Sequence, residues 1–221
     1  MVEATISGRL KVGVLISGRG SNLQALLDAC AAPNFPAEIA LVISNKAGAY
    51  GLERAEKAGV PRLVLDHKSF PNREAFDAAM DQALRAAGVD FVCLAGFMRL
   101  LTSGFVASWE GRMINVHPSL LPAFPGLHTH QRALEGGVKL HGCSVHFVTA
   151  DLDAGPLIAQ AAVPVLDEDD EDSLAARVLE QEHRIYPLAL RLAGEGRLSL
   201  KDGRTFIAAT AGQGALVNPQ P

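Results

Sequence analysis

The sequence predicts an α/β fold, a doubly wound and mostly parallel sheet of Rossmann type with an antiparallel C-terminal portion. Three observations lead there. From residue 10 onward, short β-branched runs alternate with Ala-rich helical patterns, the order that winds helices onto both faces of a parallel sheet. A glycine-containing turn, Ser17 to Asn22, stands between the first such run and the first helical pattern. After Met113 the alternation breaks, and two strand-like runs follow one another across the short stretch from Ala150 to Pro156.

Taken in order, Leu10 to Ile16 reads as a strand and Asn22 to Ala31 as a helix. A strand from Glu38 to Ser44, a helix near Gly51 to Ala58 and a strand from Arg62 to Leu65 follow, then a helix from Arg73 to Ala87 and a strand from Asp90 to Ala95. A strand from Met113 runs into His117 and opens onto a Pro- and Gly-rich loop, Pro118 to Gly126. Cys143 to Thr149 and Leu157 to Val165 form an antiparallel hairpin. A long helix from about Ser173 carries Leu174, Val178, Ile185 and Leu188 on one face, with Pro187 kinking or ending it. Leu198 to Ala208 suits a small hairpin around Asp202-Gly203, and Gly212 to Pro221 reads as a frayed tail. One domain is expected over residues 1–221, with 1–9 as an extension.

Lys and Arg number 20 against 24 Asp and Glu, a formal net charge of -4, and no stretch gathers the cations into a stripe. A nucleic-acid partner is therefore not expected. Cys30, Cys93 and Cys143 have neither metal-ligand nor redox spacing, which fits reduced thiols in a cytoplasmic protein. No apolar run approaches the ~18 residues of a membrane span. The acidic run Asp167 to Asp172 reads as a solvated helix start.

Ser17-Gly18-Arg19-Gly20-Ser21-Asn22 places backbone N–H groups where a helix dipole favours an anion. The glycines allow close approach of a phosphate, and Ser21 and Asn22 add hydrogen-bonding groups; the plain alternative is a tight turn with Ser21 as N-cap. A dinucleotide loop needs a third glycine, where Leu23 stands, and an acid at the end of the second strand, where Ser44-Asn45-Lys46 stands. A phosphate monoester fits better.

Asn115 and His117 lie two apart on one strand, so they share a face and approach the C-terminal edge of the sheet, where open α/β folds bind ligands. An amide donor beside an imidazole suits a developing oxyanion. Asp153, in the loop before Gly155-Pro156, can hold His117 charged and relay protons. Each alone has a plainer reading, a satisfied core histidine or an Asp capping its own turn. His128, His130 and His146 with Asp153 raise a metal-dependent hydrolase, but none has the HExxH spacing and no Cys joins them; no metal is expected.

Several of these stretches together resemble the phosphoribosylglycinamide formyltransferase family. The resemblance runs from Val12 to about Leu198 and rests on Gly18 to Gln24, Ala95-Gly96-Phe97-Met98-Arg99, Asn115 to Pro122, Pro125 to His130, Ser144 to Val148, Asp151 to Pro156 and Gln181-Glu182-His183. It implies direct transfer of a formyl group from 10-formyltetrahydrofolate, as co-substrate, to the amine of glycinamide ribonucleotide in purine synthesis, without a metal. By the same resemblance Asn115, His117 and Asp153 match the catalytic trio. Gly20, Ser21 and Asn22 match the phosphate loop, and Glu182 the acid that holds the ribose. Arg73, Met98, Arg99, Leu100, Leu101, Val148 and Asp151 match the folate side. Arg19, Ala154 and Leu179 depart from what some relatives carry. A monomer or homodimer is expected.

Three rivals compete. A formyltetrahydrofolate hydrolase (deformylase) resembles the family around the same trio but has an added N-terminal domain and no need of a phosphate loop. A methionyl-tRNA formyltransferase needs a C-terminal nucleic-acid-binding domain. A non-catalytic phosphate-ligand sensor leaves the trio without a purpose.

Overall fold

The computed structural model describes residues 8–208, so the tail from Gly212 and most of the N-terminal extension lie outside the described residues. Its centre is a seven-stranded sheet of order β3-β2-β1-β4-β5-β6-β7. β1 (Leu10–Ile16), β2 (Ala37–Ser44), β3 (Arg62–Val64), β4 (Phe91–Leu94) and β5 (Met113–His117) are parallel. β6 (Leu140–Phe147) and β7 (Leu157–Pro164) complete it antiparallel. A separate hairpin, β8 (Leu198–Lys201) with β9 (Arg204–Ile207), turns at Asp202-Gly203 as expected.

Helices cover both faces because the central strands are apolar on both; β1 buries Leu10, Val12, Val14, Leu15 and Ile16. On one face α1 (Ser21–Cys30), α2 (Gly51–Lys57) and α6 (Glu171–Gly194) enclose a core that includes Val14, Leu23, Leu26, Leu52, Val178 and Tyr186. On the other, α3 (Arg73–Ala86) and α4 (Ser103–Ser108) enclose Leu15, Ile43, Phe76, Met80, Leu84, Phe105 and Trp109. α5 (Thr129–Glu135) packs on α6.

The structure corrects several sequence expectations. α6 does not end at Pro187 but continues to Gly194, because Ala189, Leu190 and Leu192 beyond it are buried and hold the last turns down. Leu188 is not on the buried face: it is 47% exposed, since the buried stripe is centred on Val178, Glu182 and Ala189. β6 runs from Leu140 to Phe147, three residues earlier at its start than expected and two earlier at its end. Ser21 opens α1 without capping it; Gly20 is the N-cap, with φ 68°, and no side chain caps the helix. α4 and α5, too short to show a period, had no sequence signal.

Candidate active site

β1 and β4 are neighbours, yet their connections leave toward opposite sides of the sheet, which opens a crevice beyond their C-terminal ends. The turn from Ser17 to Gly20 leaves β1 there. Gly20 lies so close to α2 that a Cβ on it would stand 2.6 Å from the Gly51 Cα. A left-handed glycine followed by uncapped helical N–H groups is a ready anion cradle. Gly18 O accepts the Gly51 N–H at 3.1 Å, and Arg19 O accepts Arg54 Nε at 2.9 Å, so α2 anchors the turn from outside.

Asn22, in the first turn of α1, donates through Nδ2 to Glu182 Oε2 of α6 at 2.6 Å. The sequence placed these residues 160 positions apart; the fold makes them partners. Burial raises the Glu182 carboxyl above its ordinary range, opposed by the Asn22 bond. Asn22 Oδ1 is buried with no partner in the protein.

At the other end of the crevice, β5 presents Asn115 and His117. Antiparallel pairing sets Asn115 opposite His146 and His117 opposite Ser144. Asn115 Nδ2 lies 3.3 Å from His146 Nε2, and His146 Nδ1 lies 2.9 Å from Phe147 O. A carbonyl only accepts, so Nδ1 carries the proton and Nε2 is free to accept from Asn115. Burial lowers the His146 pKa, in keeping with a neutral ring.

The loop between β6 and β7 brings Asp153 to the same place. Its Oδ2 lies 3.4 Å from His117 Nδ1 and its Oδ1 3.9 Å from His146 Nε2. Asp153 adopts a left-handed backbone, φ 51°, which an Asp tolerates better than most residues. Gly155 lies so close that a Cβ there would stand 1.8 Å from Phe147 O, so the turn folds back onto β6. The loop after β5 grips both partners: Phe124 O is 3.1 Å from His117 Nε2, and Gly126 N–H donates to Asp153 Oδ2 at 2.9 Å. An acceptor on each ring nitrogen suits a His117 that donates from both. His117 is 6% exposed, so its electrostatic partners are poorly screened by water.

The expected folate-side residues fall into two groups. Leu101 and Val148 pack, with Phe97, against the core beneath α3 and α4, whereas Met98 and Leu100 are each 62% exposed on the segment leaving β4. Arg99 Nε is buried and unpartnered. Thr102 N–H donates to Asp77 Oδ2 at 2.7 Å, tying this segment to α3, whose first residue is the exposed Arg73. Asp151 is exposed in the Asp153 loop. Leu127 and Leu152 add apolar rims to the two loops.

Sequence reasoning missed His146 as a partner of the trio; it is 2% exposed. It also missed Phe124 and Gly126, whose contribution is backbone and leaves no mark on residue type. His130 meets His141 edge to face at 5.3 Å. Among the described residues no group of three or more His, Cys, Asp or Glu is placed to hold a metal ion. A cleft of about 440 Å³ between α1, β2 and α2 contains none of the trio.

The family profile described as "Formyl transferase" matches residues 10–190. The phosphoribosylglycinamide formyltransferase of Escherichia coli (strain K12) is 49% identical, over 90% of this chain and 93% of that protein. The trifunctional purine biosynthetic protein adenosine-3 of Drosophila pseudoobscura pseudoobscura is 55% identical over 86% of this chain, which spans only 14% of that larger protein. The crystal structure of glycinamide ribonucleotide transformylase 1 from Symbiobacterium toebii superposes with a TM-score of 0.88 at 55% identity, covering 90% of this chain and 94% of that one.

Proposed function

Because this chain belongs to the formyl transferase family, we propose that it transfers the formyl group of 10-formyltetrahydrofolate to the amine of glycinamide ribonucleotide, giving formylglycinamide ribonucleotide and tetrahydrofolate in purine synthesis. The observation that carries the reading is the meeting of Asp153 with His117 at the crevice end whose other side holds the Gly20 cradle. One end suits an anion and the other an acyl transfer.

In this reading the phosphate sits on the N–H groups of Gly20, Ser21 and Asn22, and Glu182 holds the ribose hydroxyls. Arg73, Met98, Arg99, Leu100, Leu101, Val148 and Asp151 receive the folate. The neutral amine attacks the formyl carbon, forming the new C–N bond. The developing oxyanion is held by the Asn115 amide and the His117 imidazolium. Asp153 keeps His117 charged and passes the amine proton toward the folate nitrogen as the old C–N bond breaks. His146 accepts from Asn115 and thereby aims the amide. The chain acts in the cytoplasm, as a monomer or homodimer; no described helix is long and apolar enough to cross a membrane.

The test is to incubate the purified protein with 10-formyltetrahydrofolate, with and without glycinamide ribonucleotide. Formyl loss that requires the amine is expected. Loss without it indicates the hydrolase, and no loss indicates a phosphate-ligand sensor. His117→Ala is expected to abolish the amine-dependent loss; near-normal turnover in that variant removes the assignment.

A further inference from the structure

Between the cradle and the folate-side segment stands a residue that neither assignment uses. Ser17 closes β1 and is 4% exposed. Its N–H donates to Gly96 O at 3.1 Å, at the end of β4. Its hydroxyl lies 2.6 Å from Asn45 Oδ1, at the end of β2, and 2.8 Å from Met98 N. The amide oxygen only accepts, so the single hydroxyl proton goes to Asn45 and a lone pair is left for the Met98 N–H. Asn45 is itself held, with Nδ2 3.3 Å from His67 Nδ1. One hydroxyl thus joins the ends of three adjacent strands, β2, β1 and β4.

The two sides of this junction are anchored unequally. The cradle keeps its contacts with Gly51, Arg54 and Glu182 whether or not Ser17 has a hydroxyl. The segment 98–101 is hydrogen-bonded at its start by Ser17 and just past its end by Asp77; of its side chains Leu101 packs on the core, while Met98 and Leu100 are mostly exposed.

We propose that Ser17 is a positioning residue for the formyl donor, fixing through the Met98 N–H the segment against which the folate lies. This rests on the function proposed above. Loss of the hydroxyl frees the donor wall and leaves acceptor binding in place.

The experiment compares the full-length protein with Ser17→Ala, the near-isosteric Ser17→Cys, and Ser17→Thr, which keeps the hydroxyl. Initial rates are measured against each substrate with the other saturating, alongside calorimetric binding of tetrahydrofolate. Ala and Cys are expected to raise the folate KM about five- to tenfold, the scale of one lost hydrogen bond, with the acceptor KM within about twofold and Thr restoring the folate KM. Folding failure of one variant leaves the other to be read. Both KM values rising together, or neither moving, overturns the proposal. A wild-type protein that binds tetrahydrofolate but transfers nothing refutes the proposed function instead. Ser17 is then judged on the tetrahydrofolate Kd, where a rise in the Ala and Cys variants supports it and no change overturns it.

Discussion

Asp153 Oδ2 faces His117 Nδ1 at 3.4 Å while accepting the Gly126 N–H at 2.9 Å, so one carboxylate oxygen is shared between the imidazole and the backbone of the opposite loop. The backbone bond fixes where the carboxylate sits, and the charge decides what it does to the ring.

Asp153→Asn separates those two roles. The amide oxygen can still accept from Gly126, so the loop keeps its place, but the charge opposite His117 is gone. We expect kcat to fall about 10²- to 10⁴-fold, the range of a lost acid–base group, with the acceptor KM little changed. A steady-state assay decides it; a kcat within tenfold of wild type, on the order of a lost neutral hydrogen bond, rules out the relay.

Glu182→Gln should trade binding for stability. Burial raises the Glu182 pKa, so the folded state resists its ionisation. The stability associated with the neutral acid is present below the unfolded value of about 4.3 and lost as pH rises through the folded value. Gln avoids that loss, and its amide N–H can reach the unpartnered Asn22 Oδ1. Urea midpoints should therefore favour the variant at pH 8 and converge near pH 4, while the acceptor KM rises about tenfold for want of a charged acceptor.

Gly20→Ala strikes the cradle directly. At φ 68° an added methyl is strained, and it would stand 2.6 Å from the Gly51 backbone. A destabilisation of about 1–3 kcal/mol is expected. Thermal melts with and without inorganic phosphate provide the sharper readout: the wild type should gain stability from phosphate and the variant should not.

His141 predicts a pH effect on folding. It is 1% exposed, and burial, then the charge of His130, depress its pKa to about 4. Between about pH 4 and the unfolded value near 6.5 the unfolded chain binds the extra proton, so stability falls as pH falls through that window. His141→Phe should flatten that part of the curve of stability against pH. An unchanged slope would mean that another group carries it.

The parallel half was legible because its strands are apolar runs between turn residues, and β1 and its helix emerge within a residue of expectation. The antiparallel hairpin was legible from the short stretch that joins its strands. Pro187 misled, since the local penalty against continuing a helix was outweighed by burial of Ala189, Leu190 and Leu192 beyond it. At the site, strand alternation predicted that Asn115 and His117 share a face, and His146 is the cross-strand neighbour of Asn115 that no periodicity could register. Asp153 was joined to the trio by resemblance alone; its approach depends on Gly126 and Gly155, backbone features of two separate loops. Asn22 with Glu182 was equally hidden, because 160 residues of chain separate them.

The reversal of chain direction at β6 gives this sheet something that parallel strands alone do not provide. In a parallel array each strand enters the crevice only with its last residues, and whatever lies earlier is submerged. β6 instead descends past β5 and sets His146, near its own end, level with Asn115. On the proposed function the molecule would divide its labour: β1 and its turn would grip the acceptor's anion, and the pairing of β5 with the reversed β6 would assemble the acyl chemistry. A different anionic amine could be accommodated by rewriting the first part alone, with the pairing of β5 and β6 left intact.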